Sequence, residues 1–93
     1  MDVKQAAKLA KDYVSDLFAD ERIADVGLEE IERESNQRFW NVTVGFSRPW
    51  DQRNPTVTTL GQTKLRRSYK QLRINDETGA VHSVRDRVLR RAE

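Results

Sequence analysis

From residue 3 to residue 19 apolar side chains recur at steps of three and four: Val3, Ala6, Ala7, Ala10, Tyr13, Val14, Leu17 and Phe18. That spacing draws one stripe along a helix and leaves Lys4, Lys8, Lys11, Asp12 and Asp16 on the other side. Asp2 suits the N-cap, and Gln5 three residues later completes a capping-box pattern. The early alanines allow close approach to another element, and Tyr13, Leu17 and Phe18 add bulk further on. The pattern predicts a helix over 3–19 that needs a partner surface.

The period then changes to two. Val26 and Leu28 alternate with Asp25, Gly27 and Glu29, and Ile31 arrives one step out of phase. A bulge near Glu29-Glu30 reconciles the register, giving a strand over about 24–34. Ser35-Asn36-Gln37 supplies turn chemistry. The next strand, 38–47, is the clearest in the chain. Trp40, Val42, Val44 and Phe46 face one way, with Asn41, Thr43, Gly45 and Ser47 facing the other. One apolar face and one polar face mark an antiparallel sheet covered on a single side.

Pro49 and Pro55 break the alternation. Thr56-Val57-Thr58-Thr59-Leu60-Gly61 has β propensity but little length, so residues 48–63 read as one long connection. Connections of that length in small domains usually carry function or lack order. A third strand follows over about 65–74, with Leu72 and Ile74 in phase and Tyr69 on the opposite side unless a bulge intervenes. Asn75-Asp76-Glu77-Thr78-Gly79 makes a hairpin loop whose glycine can take positive φ. Val81 and Val84 mark a fourth strand over about 80–87, followed by a charged tail.

A helix of about 17 residues measures roughly 25 Å, and strands of eight residues measure about 27 Å. One helix can therefore cover one face of a four-stranded antiparallel meander. The expected fold is α+β, a two-layer α-β-β-β-β sandwich in a single domain, 1–93.

The second hairpin, Tyr69-Lys70-Gln71-Leu72-Arg73-Ile74-Asn75-Asp76-Glu77-Thr78-Gly79-Ala80-Val81-His82-Ser83-Val84, resembles the signature hairpin of PepSY-type domains. In that family an apolar strand enters an Asp/Asn-rich turn ending Thr-Gly and returns as Val-x-x-Val. The opening Ala6-Ala7-Lys8-Leu9-Ala10 is similar to the family's helix. The resemblance implies a cystatin-like helix-on-sheet shape and a binding or inhibitory role, often beside peptidases and often outside the cytoplasm. It brings no catalytic residues. His82 stands where the family commonly has an aliphatic residue, and residues 48–63 lie outside its pattern.

Composition narrows the chemistry. The chain has 93 residues, no cysteine and one histidine. Those counts exclude a disulfide framework and leave no basis for a structural zinc site. No apolar run approaches the length of a membrane span, and Met1-Asp2-Val3-Lys4 is unlike a signal peptide. The expectation is a cytoplasmic protein that does not engage a membrane. Residues 1–34 carry ten acids against five bases, net −5, and residues 35–93 carry twelve bases against five acids, net +7. Such a split means mutual pairing of the halves in the fold or an anionic partner for the second half.

No catalytic set emerges. His82 has only Asp86 near it in sequence, and one imidazole without companions is most often an ordinary strand residue. Glu29-Glu30-Ile31-Glu32-Arg33-Glu34 reads as a solvated strand or a surface for Arg66, Arg67 or Arg73 to pair with, since acid–base work needs carboxylates set in a cleft. The serines lack nucleophile-elbow glycines, and the four glycines are too scattered for a phosphate loop. No metal, cofactor or enzymatic activity is expected.

The informative set is Arg48, Trp50, Arg53, Arg66, Arg67 and Tyr69, with Lys64 among them. Trp, Tyr and Arg are enriched at binding hot spots, and loops on rigid sheets commonly present them. The open sheet also offers two edges to a partner strand or to a second copy in a homodimer. The chain therefore reads as a non-enzymatic protein-interaction module that binds through residues 48–67 and the exposed sheet face or edge. The alternative is nucleic-acid binding by the basic half, with rings stacking bases and arginines on phosphates. Against both stands a purely structural use of Trp50, folded back against the sheet margin, where full burial is worth about 2–3 kcal/mol.

Overall fold

The structure, a computed structural model, describes the backbone of residues 1–53, 56–59, 62–65 and 67–87 and the side chains of residues 1–51 and 67–87. Helix α1 spans Val3–Leu17. Its capping box forms as expected: Gln5 N donates to Asp2 Oδ1 at 2.8 Å, and Asp2 N donates to Gln5 Oε1 at 2.7 Å. The helix ends two residues before the expected 19. Phe18 leaves helical torsions, and a 3-10 turn over Ala19–Glu21 closes on Arg22 at positive φ.

Ala6, Ala10 and Val14 form the fully buried seam of α1. Met1, Leu9 and Phe18 flank it, and the Phe18 ring lies 5.3 Å from that of Phe46. Val3, Tyr13 and Leu17 are exposed, so the buried stripe is narrower than the sequence spacing suggests. Small Ala6 and Ala10 let the helix settle close to the sheet, and a closely seated helix leaves its flanking positions at the rim.

Strands β1 (Ala24–Arg33), β2 (Phe39–Ser47), β5 (Ser68–Asn75) and β6 (Val81–Asp86) form one antiparallel sheet in the order β1-β2-β5-β6. Trp40, Val42, Val44, Phe46, Leu72 and Ile74 point into one core with the helix seam. The fold is α+β, one helix on one face of a four-stranded antiparallel sheet. The bulge expected near Glu29-Glu30 lies between Leu28 and Glu30, and it pairs Leu28 with Val44 and Ile31 with Val42. A second irregularity lies between Ala24 and Gly27, where Asp25 takes φ 56. A third lies between Arg73 and Ile74, where the pairing skips His82 and places Val81 and Val84 opposite Ile74 and Leu72.

Residues 48–63 are not a plain loop. Pro49–Arg53 form a short helix, α2, and β3 (Thr56–Thr59) pairs antiparallel with β4 (Gln62–Leu65) as a separate two-stranded sheet. Proline is favoured at the first helical position because its missing N–H has no helical partner to lose. Pro49 thus starts an element where a break was expected. The third strand of the main sheet accordingly begins at Ser68 rather than 65.

Candidate functional site

Pro49 sets the first turn of α2, and Asp51 fastens it. Asp51 is buried, its Oδ2 accepts from Arg48 N at 2.9 Å, and its own N donates to Arg48 O at 2.9 Å. Arg48 then lies among three rings, with Cζ 5.2 Å from Trp50, 5.3 Å from Phe46 and 5.4 Å from Phe18. Its Nε sits 3.0 Å from Glu21 Oε1. The pair attracts as charges, although its angle does not make a hydrogen bond. A guanidinium over aromatic faces gains cation–π attraction that grows as water is excluded. Trp50 stays 55% exposed on the outer side of this stack. Lys70 Nζ adds a second cation 5.5 Å from the Phe18 ring and pairs with Asp86, whose carboxyl it holds below the ordinary value.

The opposite face of the sheet is polar and largely self-paired. Arg67 Nη2 donates to Asp25 O at 2.9 Å and lies 3.4 Å from Glu29 Oε2. This pair lies over Gly45, where an added Cβ would fall 2.7 Å from Glu29 Oε2 and 3.0 Å from Arg67 Nη2. Glu30 on one edge strand meets Arg87, just past the other edge strand, at 3.0 Å. Thr43, cross-strand from Glu30, is fully buried, and its Oγ1 has no partner among the described residues.

Further along the same face lies an open groove of about 460 Å³, lined by Asn41, Gln71, Arg73, His82, Ser83 and Arg85. Arg73 is fixed within it. Its Nε and Nη2 donate to Glu34 at 2.8 and 3.1 Å, and its Cζ stacks 3.6 Å from the centre of the Phe39 ring. Asn41 Nδ2 donates to Glu34 Oε2 at 3.0 Å. The hydrogen bond from Arg73, aided by Asn41, holds the Glu34 carboxyl below its usual value, and Glu34 in turn raises Arg73. The His82 ring meets Phe39 edge-on at 4.8 Å.

The expected site residues therefore divide. Arg48 and Trp50 sit at the end of the core side, beside Phe46. Arg67 and Tyr69 lie on the solvent face, since Tyr69 pairs with Gly45 in an unbroken register. The side chains of Arg53 and Lys64, and the whole of Arg66, fall outside the described residues. The groove residues Asn41, Gln71, Ser83 and Arg85 were not singled out in the sequence as a site, and Arg73 only as a partner for the acidic run 29–34, which it meets at Glu34 as Arg67 meets Glu29. Their signal is the alternation of polar positions 69, 71 and 73, which becomes a surface only once the Asn75–Gly79 turn sets the register against Ser83 and Arg85.

No protein-family model matches this chain, and neither a curated protein nor a solved structure is detectably similar to it. Among the described residues no helix is long and apolar enough to cross a membrane.

Proposed function

We propose that this chain is a non-enzymatic protein-interaction module anchored on Trp50. The observation that carries the reading is an indole 55% exposed on a helix that is itself pinned, by buried Asp51 and by an arginine seated on three rings. A large exposed ring whose backbone is already ordered loses little entropy on binding, which is the character of an interface anchor.

The polar face supports the same reading. Glu29, Glu30 and Glu34 are each met by an arginine, and His82 meets a phenyl ring, so these groups serve as a recognition surface rather than as acid and base. Nucleic-acid binding is the weaker reading. Arg48, Arg67, Lys70, Arg73 and Arg87 all meet carboxylates, so much of the second half's positive charge is answered within the fold.

The PepSY-like hairpin adds a variant in which the partner is a peptidase and binding is inhibitory. Affinity capture compared between the wild type and Trp50→Ala tests the proposal. A partner retained by the wild type and lost by the variant, with melting temperature unchanged, supports it. Equal capture by both proteins, or unfolding of the variant, counts against it. Recovery of a peptidase selects the inhibitory variant.

A further inference from the structure

Arg85 is the one lysine or arginine on the four main strands that makes no ion pair among the described residues. Arg33, Lys70 and Arg73 each have a carboxylate. Gln71 lies opposite Arg85, and Arg73 lies opposite Ser83. The four side chains thus form a two-by-two array on one face, with the two arginines on a diagonal. Every corner carries a hydrogen-bond donor. The carboxylate next to the array, Glu34, is already occupied by Arg73 and Asn41.

Arg73 Nη1 makes no hydrogen bond among the described residues, and the plane of that guanidinium is fixed by Glu34 on one edge and by Phe39 beneath. A guanidinium held in this way presents a rigid edge that suits a planar carboxylate. Arg85, on the diagonal from Arg73, adds a cation that no carboxylate among the described residues answers.

We propose that this groove is a binding site for carboxylate side chains of an acidic polypeptide segment, with Arg85 as the charge partner and Arg73 Nη1, Gln71 and Ser83 as donors. The proposal rests on the reading of the chain as a protein-binding module and names the chemistry of the partner's second contact. Arg73 and Glu34 cancel, so among the described residues the groove's unanswered charge is one. That matches a carboxylate and falls short of a phosphoryl group, which carries about −1.5 to −2. Tyr69 continues this face of β5 toward Arg67, just before the strand, so one extended segment can follow the strand from Arg67 to the groove.

The test is a titration of the folded chain with a hexaglutamate peptide at low ionic strength, followed residue by residue through amide NMR shifts. The proposal expects shifts centred on Gln71, Ser83 and Arg85. Arg85→Gln should weaken the affinity by about tenfold or more, and Ser83→Ala by about threefold. Lys4→Ala, exposed on the polar side of α1, should leave the peptide's affinity unchanged. Shifts that are absent, that lie elsewhere, or that survive both groove substitutions overturn the proposal. Inorganic phosphate that binds the same residues as tightly as the peptide overturns the assignment to carboxylates. Because Trp50 lies outside the groove, capture lost in Trp50→Ala without groove binding sinks this site alone, and groove binding without a role for Trp50 sinks the anchor alone.

Discussion

Trp40 Nε1 donates to Asp76 Oδ1 across 2.7 Å, fastening the end of the central strand to the β5–β6 turn. Asp76 also receives Arg33 Nη2 at 2.9 Å and the Met1 amine at 3.3 Å. The indole donor is the main reason its carboxyl is held below the ordinary 3.8. One acidic side chain thus ties together β1, β2, the turn and the start of the helix.

Acid sensitivity follows from that arrangement. The carboxyls of Asp76, Glu34 and Asp86 are all lowered in the fold, the first chiefly by Trp40, the second by Arg73 and the third by Lys70. A lowered folded-state value means stability that is fully present above the ordinary values of 3.8 and 4.5 and is lost as pH falls below them. Melting temperatures should hold between about pH 5 and pH 7 and fall steeply below about pH 4. Asp76→Asn should melt lower at neutral pH and show a shallower acid decline. An unchanged decline would show that Asp76 does not carry it.

Gly79 supplies a second check. It sits at φ 75, and an added Cβ would fall 3.2 Å from Leu9 Cδ1. Gly79→Ala should cost about 1–2 kcal/mol in chemical denaturation, and Gly79→Asn should cost less because asparagine tolerates this region. Equal effects from both substitutions would place the cost in the contact with Leu9 rather than in the backbone.

The core and the anchor should respond oppositely to truncation. Phe46 is fully buried beside Phe18, so Phe46→Ala should lose about 3–5 kcal/mol, a large part of a domain's roughly 5–15 kcal/mol. Trp50→Ala removes an exposed ring and should change stability by no more than about 0.5 kcal/mol. Denaturant unfolding of both variants reads this directly. A large loss in Trp50→Ala would make the indole structural.

Much of this architecture was legible in the sequence, and the misses have physical causes. Trp40 to Phe46 alternate so strictly that the core face follows from them alone, and the three-residue step from Leu28 to Ile31 demanded the bulge that is present. The same step from Val81 to Val84 carried an equal message, and it is met by the irregular pairing at His82. Pro49 misled because proline both ends and begins helices, and only the carboxylate of Asp51 two residues on distinguishes a start. Strands as short as Thr56–Thr59 and Gln62–Leu65 leave too few positions for a period to show. The groove was invisible for a different reason. Its residues come from separate strands and meet only through register.

Oligonucleotide binding provides a contrary test of the charge pairing. With five cations of the second half held by carboxylates, a titration at low salt should show weak binding. Tight binding that collapses steeply as salt rises would show that phosphates displace those pairs.

The most direct test of the anchor is photo-cross-linking from its own position. A photoreactive phenylalanine analogue is placed at residue 50 in one protein and at Lys4, on the polar side of α1, in another, and each is irradiated in the organism that produces the chain. The account predicts one discrete protein adduct from position 50 and none from position 4. No adduct at position 50, or the same adducts from both positions, would contradict it.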